Sequence, residues 1–352
     1  MIDPRDMEHC REAIRHGSLS FHTASRLLPA SVRDPALALY AFCRLADDAV
    51  DEGDEKTGAV LSLRDRLDLA YQGRPRNAPA DRAFAAIIED FEMPRALPEA
   101  LLEGLAWDAM GKRYQTLPEL YGYSARVASA VGAMMCVLMG ERQYGTLARA
   151  CDLGLAMQLT NIARDVGEDA RARRMYLPID WLYEAGLTPE AVFANPTPLP
   201  EIRRMVARLL ADADRLYFRS EAGLGALPLS CRPGIYAARF IYAGIGRQVR
   251  RNGCDSVTLR ARTTTVQKLG WLMLSMGRTG IGLVMPGSAV IYAPPIPEVA
   301  FLVDAAARDG RPTGDWGEGR SGTVLEALAT LEARDRARRA AFGAGGVAEQ
   351  GI

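Results

Sequence analysis

Apolar residues recur at spacings of three and four along most of the chain, in long segments without proline. Clear examples are residues 99–114 and 147–169, which are rich in Ala, Leu, Met and Arg. This period is that of an amphipathic α-helix, and these residue types favour helix formation. Alternating β-branched segments joined by Asn-Gly or Asp-Gly turns are hard to find. The pattern therefore predicts an all-α protein.

The prolines lie mostly between the candidate helices, as expected for residues that interrupt a helix. There is neither an internal repeat nor a clear linker before about residue 255. We therefore predict a single helical domain over residues 8–275, followed by an extension over residues 276–352. The last forty residues combine several glycines with alternating charge and predict a loosely ordered tail.

Two apolar segments call for separate interpretations. Residues 279–297 carry no charge, but four prolines would break any membrane-spanning helix there. We expect a connector that packs on the domain or touches a membrane surface. Residues 127–139 are too short to span a bilayer and predict a buried core helix, whose small residues could also leave room for a hydrocarbon.

Composition and charge exclude several classes of function. The 43 basic residues balance the 43 acidic ones, which argues against a strongly cationic nucleic-acid-binding protein. The six cysteines form no CxxC pair and all three histidines lie in the first 22 residues, so neither a zinc site nor a thiol–histidine pair is expected. The first residues do not have the pattern of a secretory signal, which predicts a reducing, cytoplasmic setting.

Two acidic motifs lie on different predicted helices. In the first, Asp47 and Asp51 are four residues apart, and in the second, Asn161, Asp165 and Asp169 follow one another in steps of four. Residues at i and i+4 lie on one helix face, so each motif presents a column of oxygen atoms. Acid pairs at this spacing are common by chance, whereas an asparagine followed in register by two acids is rare. The second motif is therefore the more specific one.

Both motifs lie in apolar surroundings, residues 39–46 and 153–163. Exposure to solvent therefore explains these carboxylates poorly. Mg²⁺ takes oxygen ligands and is usually bound by one or two carboxylates together with substrate phosphates. The two columns predict a site for Mg²⁺, with Mn²⁺ as a substitute, that binds a diphosphate and stabilises the charge formed when its carbon–oxygen bond breaks.

Arginine and aromatic residues near the motifs would complete such a site. Guanidinium groups bind phosphate oxygens through paired hydrogen bonds, and the candidates are Arg44, Arg164, Arg113 and Arg173. Loss of an allylic diphosphate leaves a carbocation, which needs a dry site with aromatic faces. Candidates for that role are Phe21, Tyr40, Tyr176 and Tyr242. Taken singly, such arginines are more often surface residues and such aromatics more often core residues.

Five segments in sequence resemble the squalene and phytoene synthase family. Residues 16–29 (HGSLSFHTASRLLP) and 39–52 (LYAFCRLADDAVDE) are similar to the opening of these enzymes. Residues 113–135 and 158–178 (QLTNIARDVGEDARARRMYLP) are similar to the middle signatures, and residues 238–253 to the late helix. Together they extend over about residues 8–270, and the stretch at 158–178 is close to diagnostic.

The resemblance implies an all-α, single-domain isoprenoid-synthase bundle with a central cavity. It implies that Mg²⁺ is bound by Asp47, Asp51, Asn161, Asp165 and Asp169. It further implies that the substrate diphosphates contact Ser18, Ser20, Tyr40, Arg44, Gln158 and Arg164. Phe21 is a further substrate-binding candidate. Tyr242 matches a late tyrosine near the reacting carbons and, with Asp47, Asp51 and Asp165, makes up the expected catalytic set.

The implied reaction joins two geranylgeranyl diphosphates head to head through prephytoene diphosphate and yields phytoene. It needs no reductant, so no NADPH is expected. One alternative is a relative that uses farnesyl diphosphate to make presqualene diphosphate, dehydrosqualene or squalene. An alternative of another class is a catalytically silent relative that serves as an assembly or scaffold protein. Both acidic columns are intact, which disfavours the silent relative.

The expected partners follow from the implied chemistry. Geranylgeranyl diphosphate is the expected substrate, no nucleic acid is expected, and a phytoene desaturase is the expected downstream enzyme. Because the substrates and the product are long hydrocarbons, we expect peripheral contact with the inner membrane by a cytoplasmic enzyme.

Overall fold

The computed structural model describes residues 2–52, 56–282 and 288–308, apart from the side chains at 49–52 and 56–59. These residues form α-helices with short connections and no β-strand, which confirms the all-α prediction. The helices are α1 Pro4–Gly17, α2 Leu19–Ser25, α3 Ala30–Glu52, α4 Lys56–Tyr71, α5 Pro79–Phe91, α6 Ala96–Ala109, α7 Leu117–Ser124, α8 Ala130–Leu138, α9 Tyr144–Arg171, α10 Ile179–Glu184, α11 Pro189–Ala194, α12 Pro200–Leu224, α13 Arg232–Arg251, α14 Thr265–Ile281 and α15 Ala300–Ala306. A π-helical turn, Ala125–Ser129, joins α7 to α8, and 3₁₀ turns lie at Ala289–Tyr292 and Pro297–Val299.

Helix α9 is the central helix of the bundle. Its 28 residues are buried on nearly every side, with Leu155, Leu159 and Ala163 fully inaccessible. Its apolar positions are packed in the core, and a row of polar residues from Gln158 to Asp169 is only partly buried. It packs against α8, α12, α13 and α15. Any functional side chain on α9 is therefore held by a helix that is packed on most of its surface.

Capping residues explain where several helices begin. The side chains of Asp3, Thr116 and Thr188 accept hydrogen bonds from backbone N–H groups in the first turns of α1, α7 and α11. Each of these helices also has proline in its first two positions, where no N–H is needed. Pro35 is different, because it lies inside α3. The helix continues there despite the lost backbone hydrogen bond, since the following turns are buried in the core.

Residues 127–139 were predicted to form a buried core helix, and the structure confirms this for α8. Ala133, Met134 and Cys136 are buried completely or almost completely. Burial of a side chain the size of methionine contributes about 1.5–3 kcal/mol relative to exposure. The π-helical segment before α8 is a widened helical turn, and such turns often occur near functional sites.

The segment that precedes α15 is tied to the bundle by a buried arginine. Arg149 on α9 donates hydrogen bonds to the carbonyls of Val290 and Pro294 at 2.5 and 3.3 Å, and pairs with Asp152. Leu302 and Val303 of α15 are fully buried. Residues 288–308 therefore pack on the bundle, while residues 283–287 of the predicted connector lie outside the described part.

The chain divides by internal contacts into Met1–Gly310 and Arg311–Ile352. All of the described helices belong to the first unit, and the tail predicted beyond it lies outside the described residues. The boundary placed between residues 275 and 276 stays a prediction, and α14 runs through it as far as Ile281. Among the described helices, none combines the length and the apolar character needed to cross a bilayer.

Candidate active site

The second acidic motif forms a column on α9. Gln158, Asn161, Asp165 and Asp169 are spaced by three or four residues and are all partly buried, while Leu159, Ile162 and Ala163 between them are packed in the core. This spacing places the four polar side chains on one helix face. The column predicted from the sequence is therefore a real feature of the helix.

Asp165 is paired with two arginines. Nε of Arg164 lies 2.8 Å from one of its carboxylate oxygens, and Nε of Arg260 lies 3.0 Å from the same oxygen. Arg260 also contacts Glu168 at 2.8 Å. Two guanidinium groups thus lie at the middle of the column, where each could bind a phosphate oxygen as well as a carboxylate.

Asp169 has an unusual protonation equilibrium. Burial, followed by the negative charge of Asp165, raises the pKa of its carboxyl to about 7. A buried acid beside another acid resists ionisation, and a bound cation would relieve that resistance. Binding of a cation next to Asp169 would therefore be electrostatically favourable.

Asn161 contributes the clearest sign of a missing ligand partner. Its amide oxygen is buried and accepts no hydrogen bond from any described group. Such a group costs about 1–3 kcal/mol unless something satisfies it. The free oxygen, one helical turn from Asp165, suits a hard cation such as Mg²⁺.

The described carboxylates do not form a complete metal cage by themselves. No cluster of three or more His, Cys, Asp or Glu side chains suited to a metal occurs among them, and the side chain of Asp51 is outside that description. Mg²⁺ usually completes its shell with water and substrate phosphate. The oxygen donors on α9 fit a cation held jointly with a diphosphate.

The first acidic motif lies on α3. Arg44 pairs closely with Asp48, at 2.5 and 2.9 Å, and more distantly with Asp47, at 3.8 Å. Asp48 was not singled out from the sequence. Asp51 follows one turn after Asp47, and its side chain lies outside the described residues.

Aromatic residues connect α3 to α9 through α2 and α13. The ring of Phe21 lies 6.5 Å from that of Tyr40 and 5.3 Å from that of Tyr242. Burial raises the pKa of Tyr242 to about 12, and the charges of Arg164 and Asp165 also act on it. The structure therefore brings Tyr40, Phe21 and Tyr242 together next to the α9 column.

The serines and glutamine predicted to bind diphosphate lie on the same elements. Ser18 caps α2, accepting a hydrogen bond from the N–H of Phe21 at 3.3 Å, and its hydroxyl also bonds to Tyr242. Ser20 is partly buried on α2, and Gln158 begins the α9 column. Arg113 and Arg173 have other neighbours, since both guanidinium groups lie over the ring of Phe193 on α11.

A second aromatic cluster lies around Asp108, near Asp169. Asp108 accepts hydrogen bonds from the hydroxyls of Tyr123 and Tyr176 at 2.7 and 2.8 Å. The rings of Tyr114, Tyr123 and Tyr176 stack with centroids 5.1–6.4 Å apart. The charge of Asp108 is close enough to raise the pKa of Asp169. The cluster therefore lies close to the acidic column.

Comparison with known proteins identifies the family. The family model described as Squalene/phytoene synthase matches residues 14–269. A protein of Cereibacter sphaeroides named "Phytoene synthase" is 63% identical over 346 residues, which is 96% of each chain. One of Rhodobacter capsulatus with the same name is 59% identical over 96% of this chain and 98% of its own. The chain belongs to the squalene/phytoene synthase family.

Solved structures agree with this assignment. A dehydrosqualene synthase in complex with a ligand is 28% identical with a TM-score of 0.72, covering 79% of this chain and 97% of its own. The squalene synthase HpnC from Alicyclobacillus acidocaldarius is 25% identical with a TM-score of 0.65, covering 71% and 94%. The predicted isoprenoid-synthase bundle is therefore confirmed, and the chain is a prenyl-transferring enzyme by family.

The sequence motifs did not include two neighbours of the acidic column, Arg260 and Asp108. Arg260 lies 95 residues after Asp165, in a loop without a motif, so only the folded structure brings the two together. Asp108 does carry a signal that could have been used, because it is an acid within the predominantly apolar helix of residues 99–109. Acids in such positions need partners.

Proposed function

We propose that this chain is a phytoene synthase that condenses two geranylgeranyl diphosphates head to head and releases both diphosphates. Identities of 63% and 59% to proteins named phytoene synthase, over nearly the whole chain, support this proposal. The observation that carries the chemistry is the α9 column, where Asp165 lies between two arginines and Asn161 offers a free buried oxygen.

Metal binding is assigned to both acidic motifs. Asp47 and Asp51 on α3, with Asn161, Asp165 and Asp169 on α9, are proposed to hold Mg²⁺, which Mn²⁺ can replace. When bound, the ion neutralises the negative charge that forms on the departing diphosphate. The protein holds the oxygen donors on long helices, one of them packed on most of its surface, so the donors are positioned in advance.

Diphosphate binding is assigned to Ser18, Ser20, Tyr40, Arg44, Gln158 and Arg164, and we add Arg260. Arg164 and Arg260 already pair with Asp165 and can turn their remaining N–H groups toward phosphate. Guanidinium groups are well suited to this because they bind oxygen pairs in a fixed plane. These contacts hold the leaving group while its bond breaks.

The first half-reaction joins the two chains. The C1–O bond of one geranylgeranyl diphosphate breaks with its electron pair going to the diphosphate. The double bond of the second substrate then attacks C1, and loss of one proton closes the cyclopropane of prephytoene diphosphate. Phe21 and Tyr242 offer aromatic faces to the cation. With its pKa raised to about 12, Tyr242 stays protonated and does not trap the cation as a nucleophile.

The second half-reaction opens the cyclopropane. The remaining C–O bond breaks, the carbon skeleton rearranges, and loss of a second proton gives phytoene. Both half-reactions balance without a reductant, so we propose that NADPH is not required. The released diphosphate is the proposed base for the proton losses, because the histidines all lie between His9 and His22, away from the motifs in sequence.

Farnesyl diphosphate is the second candidate substrate. The similarity to a dehydrosqualene synthase structure, at 28% identity, favours it. The greater identity to phytoene synthases favours the longer substrate. A silent scaffold relative would have no reason to keep the buried oxygen of Asn161 beside Asp165.

The surroundings of the enzyme follow from its substrates. Geranylgeranyl diphosphate and phytoene carry long hydrocarbon chains that partition into membranes. We propose that the enzyme works in the cytoplasm in peripheral contact with the inner membrane. A phytoene desaturase would receive the product there.

Metal dependence tests the proposed site. EDTA should abolish diphosphate release from geranylgeranyl diphosphate, and Mg²⁺ or Mn²⁺ should restore it. Asp165→Ala and Asp51→Ala should each lower turnover at least about 100-fold while the helical circular dichroism is unchanged. Asp65→Ala, at an exposed acid on α4, is the matched control and should keep full turnover. Activity that survives thorough chelation would overturn the metal site.

A further inference from the structure

Helix α14 exposes apolar side chains and buries polar ones. Ser275 and Thr279 point into the protein and are buried, whereas Val266, Leu269 and Met273 are 80%, 60% and 66% exposed. A surface helix of a soluble domain normally does the opposite. Such an exposed apolar face usually marks an interaction site.

The outward side of α14 contains no polar side chain. At 100° per residue its positions are Val266, Leu269, Gly270, Met273, Leu274, Met276, Gly277, Gly280 and Ile281. All nine are exposed, and none is charged. This set is called the α14 face. Its length, about 25 Å for seventeen residues at 1.5 Å each, matches a helix that lies flat on a surface.

The inner side of α14 lies next to the proposed active site. The ring of Trp271 packs so closely on Gly244 of α13 that any side chain there would collide with it. Gly244 is two residues from Tyr242. Leu272 packs in a small cluster with Ala24 of α2 and with Met157, the residue before Gln158. The α14 face is thus one helix thickness from residues that line the site.

The charge around the α14 face is positive. Residues 256–282 include no acid and four cations, Arg260, Arg262, Lys268 and Arg278. Arg260 and Arg278 are paired with acids of other helices, whereas Arg262 and Lys268 form no ion pair with any described residue. Of these two, Arg262 is exposed just before α14, whereas Lys268 lies on the inner half of the helix at 100° per residue. A cation beside an apolar helix face is typical of helices that bind anionic lipid.

We propose that the α14 face docks on a membrane containing anionic lipid, so that the prenyl chains pass between the bilayer and the site. The apolar side chains enter the acyl boundary, and Arg262, which is exposed just before α14, contacts the headgroups. This inference rests on the proposed function, because hydrocarbon substrates give the enzyme a reason to lie on a bilayer.

Vesicle flotation tests this surface. Full-length protein should float with vesicles of phosphatidylcholine and phosphatidylglycerol, and less with phosphatidylcholine alone. Leu269→Gln with Met273→Gln should lower the ratio of bound to free protein at least about tenfold. Glutamine is used because adjacent glutamates would repel each other on the helix.

A matched control pair is available away from α14 in sequence. Leu61 on α4 and Met110 after α6 are 63% and 71% exposed, close to the values for the α14 pair. Leu61→Gln with Met110→Gln should float like the unaltered protein. If both double variants bind equally, or if the unaltered protein does not bind at all, the proposed surface is wrong.

Residues 309–352 or a second copy of the chain are the other candidates to cover the α14 face, and labelling experiments distinguish them from a membrane. An environment-sensitive dye on Met273→Cys should shift its emission to the blue only when anionic vesicles are added, with unaltered protein as the blank for native cysteines. A dye already shielded in monomeric protein would assign the face to residues 309–352. Loss of a dimer in the α14 glutamine variant, without loss of flotation, would assign it to a second copy. Either result overturns membrane docking.

Turnover in detergent micelles separates this inference from the proposed function. The α14 glutamine variant should convert geranylgeranyl diphosphate in micelles as fast as the unaltered protein, because the bilayer is no longer needed for delivery. An inactive unaltered protein would sink the proposed function, whatever the flotation result. Full activity with no difference in flotation would sink only the membrane surface.

Discussion

A buried amide oxygen without a hydrogen-bond donor is costly, and Asn161 carries one in the middle of α9. Proteins tolerate such groups where a ligand satisfies them. The neighbouring residue offers a contrast, because the hydroxyl of Thr160 is buried but bonded to Ala156 and Tyr217 at 2.8 and 3.0 Å. The folded chain thus supplies hydrogen-bond partners for Thr160, whereas the oxygen of Asn161 is left for a bound ligand.

Substitution of Asn161 should separate stability from activity. Asn161→Leu removes an unsatisfied polar atom, so the free energy of unfolding in metal-free buffer should stay the same or rise by about 1 kcal/mol. Turnover should fall at least about 100-fold, because a proposed metal ligand is lost. Urea unfolding and diphosphate release would measure the two effects.

Thr160→Val is the control for that experiment. It should cost about 1 kcal/mol of stability, through two lost hydrogen bonds, and leave turnover near normal. A destabilised but active Asn161→Leu would contradict the ligand assignment.

The carboxyl of Asp169 should make stability depend on pH. In metal-free buffer its pKa is raised to about 7, against 3.8 for an ordinary aspartate. The folded chain therefore binds the extra proton between these values, so stability falls as pH rises through about 7. Asp169→Asn cannot ionise. The unfolding free energy of the unaltered protein should therefore fall by about 2 kcal/mol relative to this variant between pH 5 and pH 7.5. Parallel pH curves in EDTA would refute this.

At the scale of elements, the contact between α9 and the segment before α14 is unusually close. The N–H of Gly167 donates to the carbonyl of Ser256 at 2.9 Å. A methyl group on Gly167 would lie 2.3 Å from the carbonyl oxygen of Val257 and 2.6 Å from its Cα. Only glycine allows this approach, which brings Arg260 to Asp165.

Gly167→Ala should therefore move the segment that carries Arg260. The backbone of Val257 cannot yield as a flexible side chain would, so we expect a loss of about 2 kcal/mol in stability and a rise in KM for the prenyl diphosphate. Gly122→Ala on α7 is the matched control, since its position is open. Alanine there should stabilise the helix by about 0.5–1 kcal/mol. Equal behaviour of the two variants would show that the close approach is unimportant.

Local periodicity explains which parts of this fold could be predicted. The α9 column depends only on spacing within one helix, so Asn161, Asp165 and Asp169 could be found from the sequence. Arg260 and Asp108 could not be placed in that way, because their contacts depend on how distant segments pack. Pro35 departs from the general rule that prolines lie between helices, since tertiary burial of α3 overrides a local signal for a helix end. The role of Asp51 stays a prediction, because its side chain lies outside the described residues.

At the scale of the whole molecule, the described helices form one unit that ends at Gly310. The last part of this unit is not a loose connector, because Val299, Leu302 and Val303 are fully buried. Arg142 and Arg308 add contacts to Ala306 and Glu92. The compact unit formed by the described helices therefore extends past α15.

Two truncations should distinguish the unit from the tail. A chain ending at Gly310 should keep its melting temperature and its turnover, because every described site residue remains. A chain ending at Gly287 loses α15 and should be strongly destabilised, since each buried side chain removed is worth about 1.5–3 kcal/mol. Thermal unfolding and diphosphate release would check both. A folded but inactive chain ending at Gly310 would show that the tail takes part in catalysis.

The central claim is that this site couples two twenty-carbon prenyl diphosphates without a reductant. Its most direct test is product identification by mass spectrometry after incubation with geranylgeranyl or farnesyl diphosphate, each with and without NADPH, in Mg²⁺-containing buffer. We expect phytoene from geranylgeranyl diphosphate, with two diphosphates released per product and no effect of NADPH. A thirty-carbon product from farnesyl diphosphate alone, or a product that requires NADPH, would contradict it.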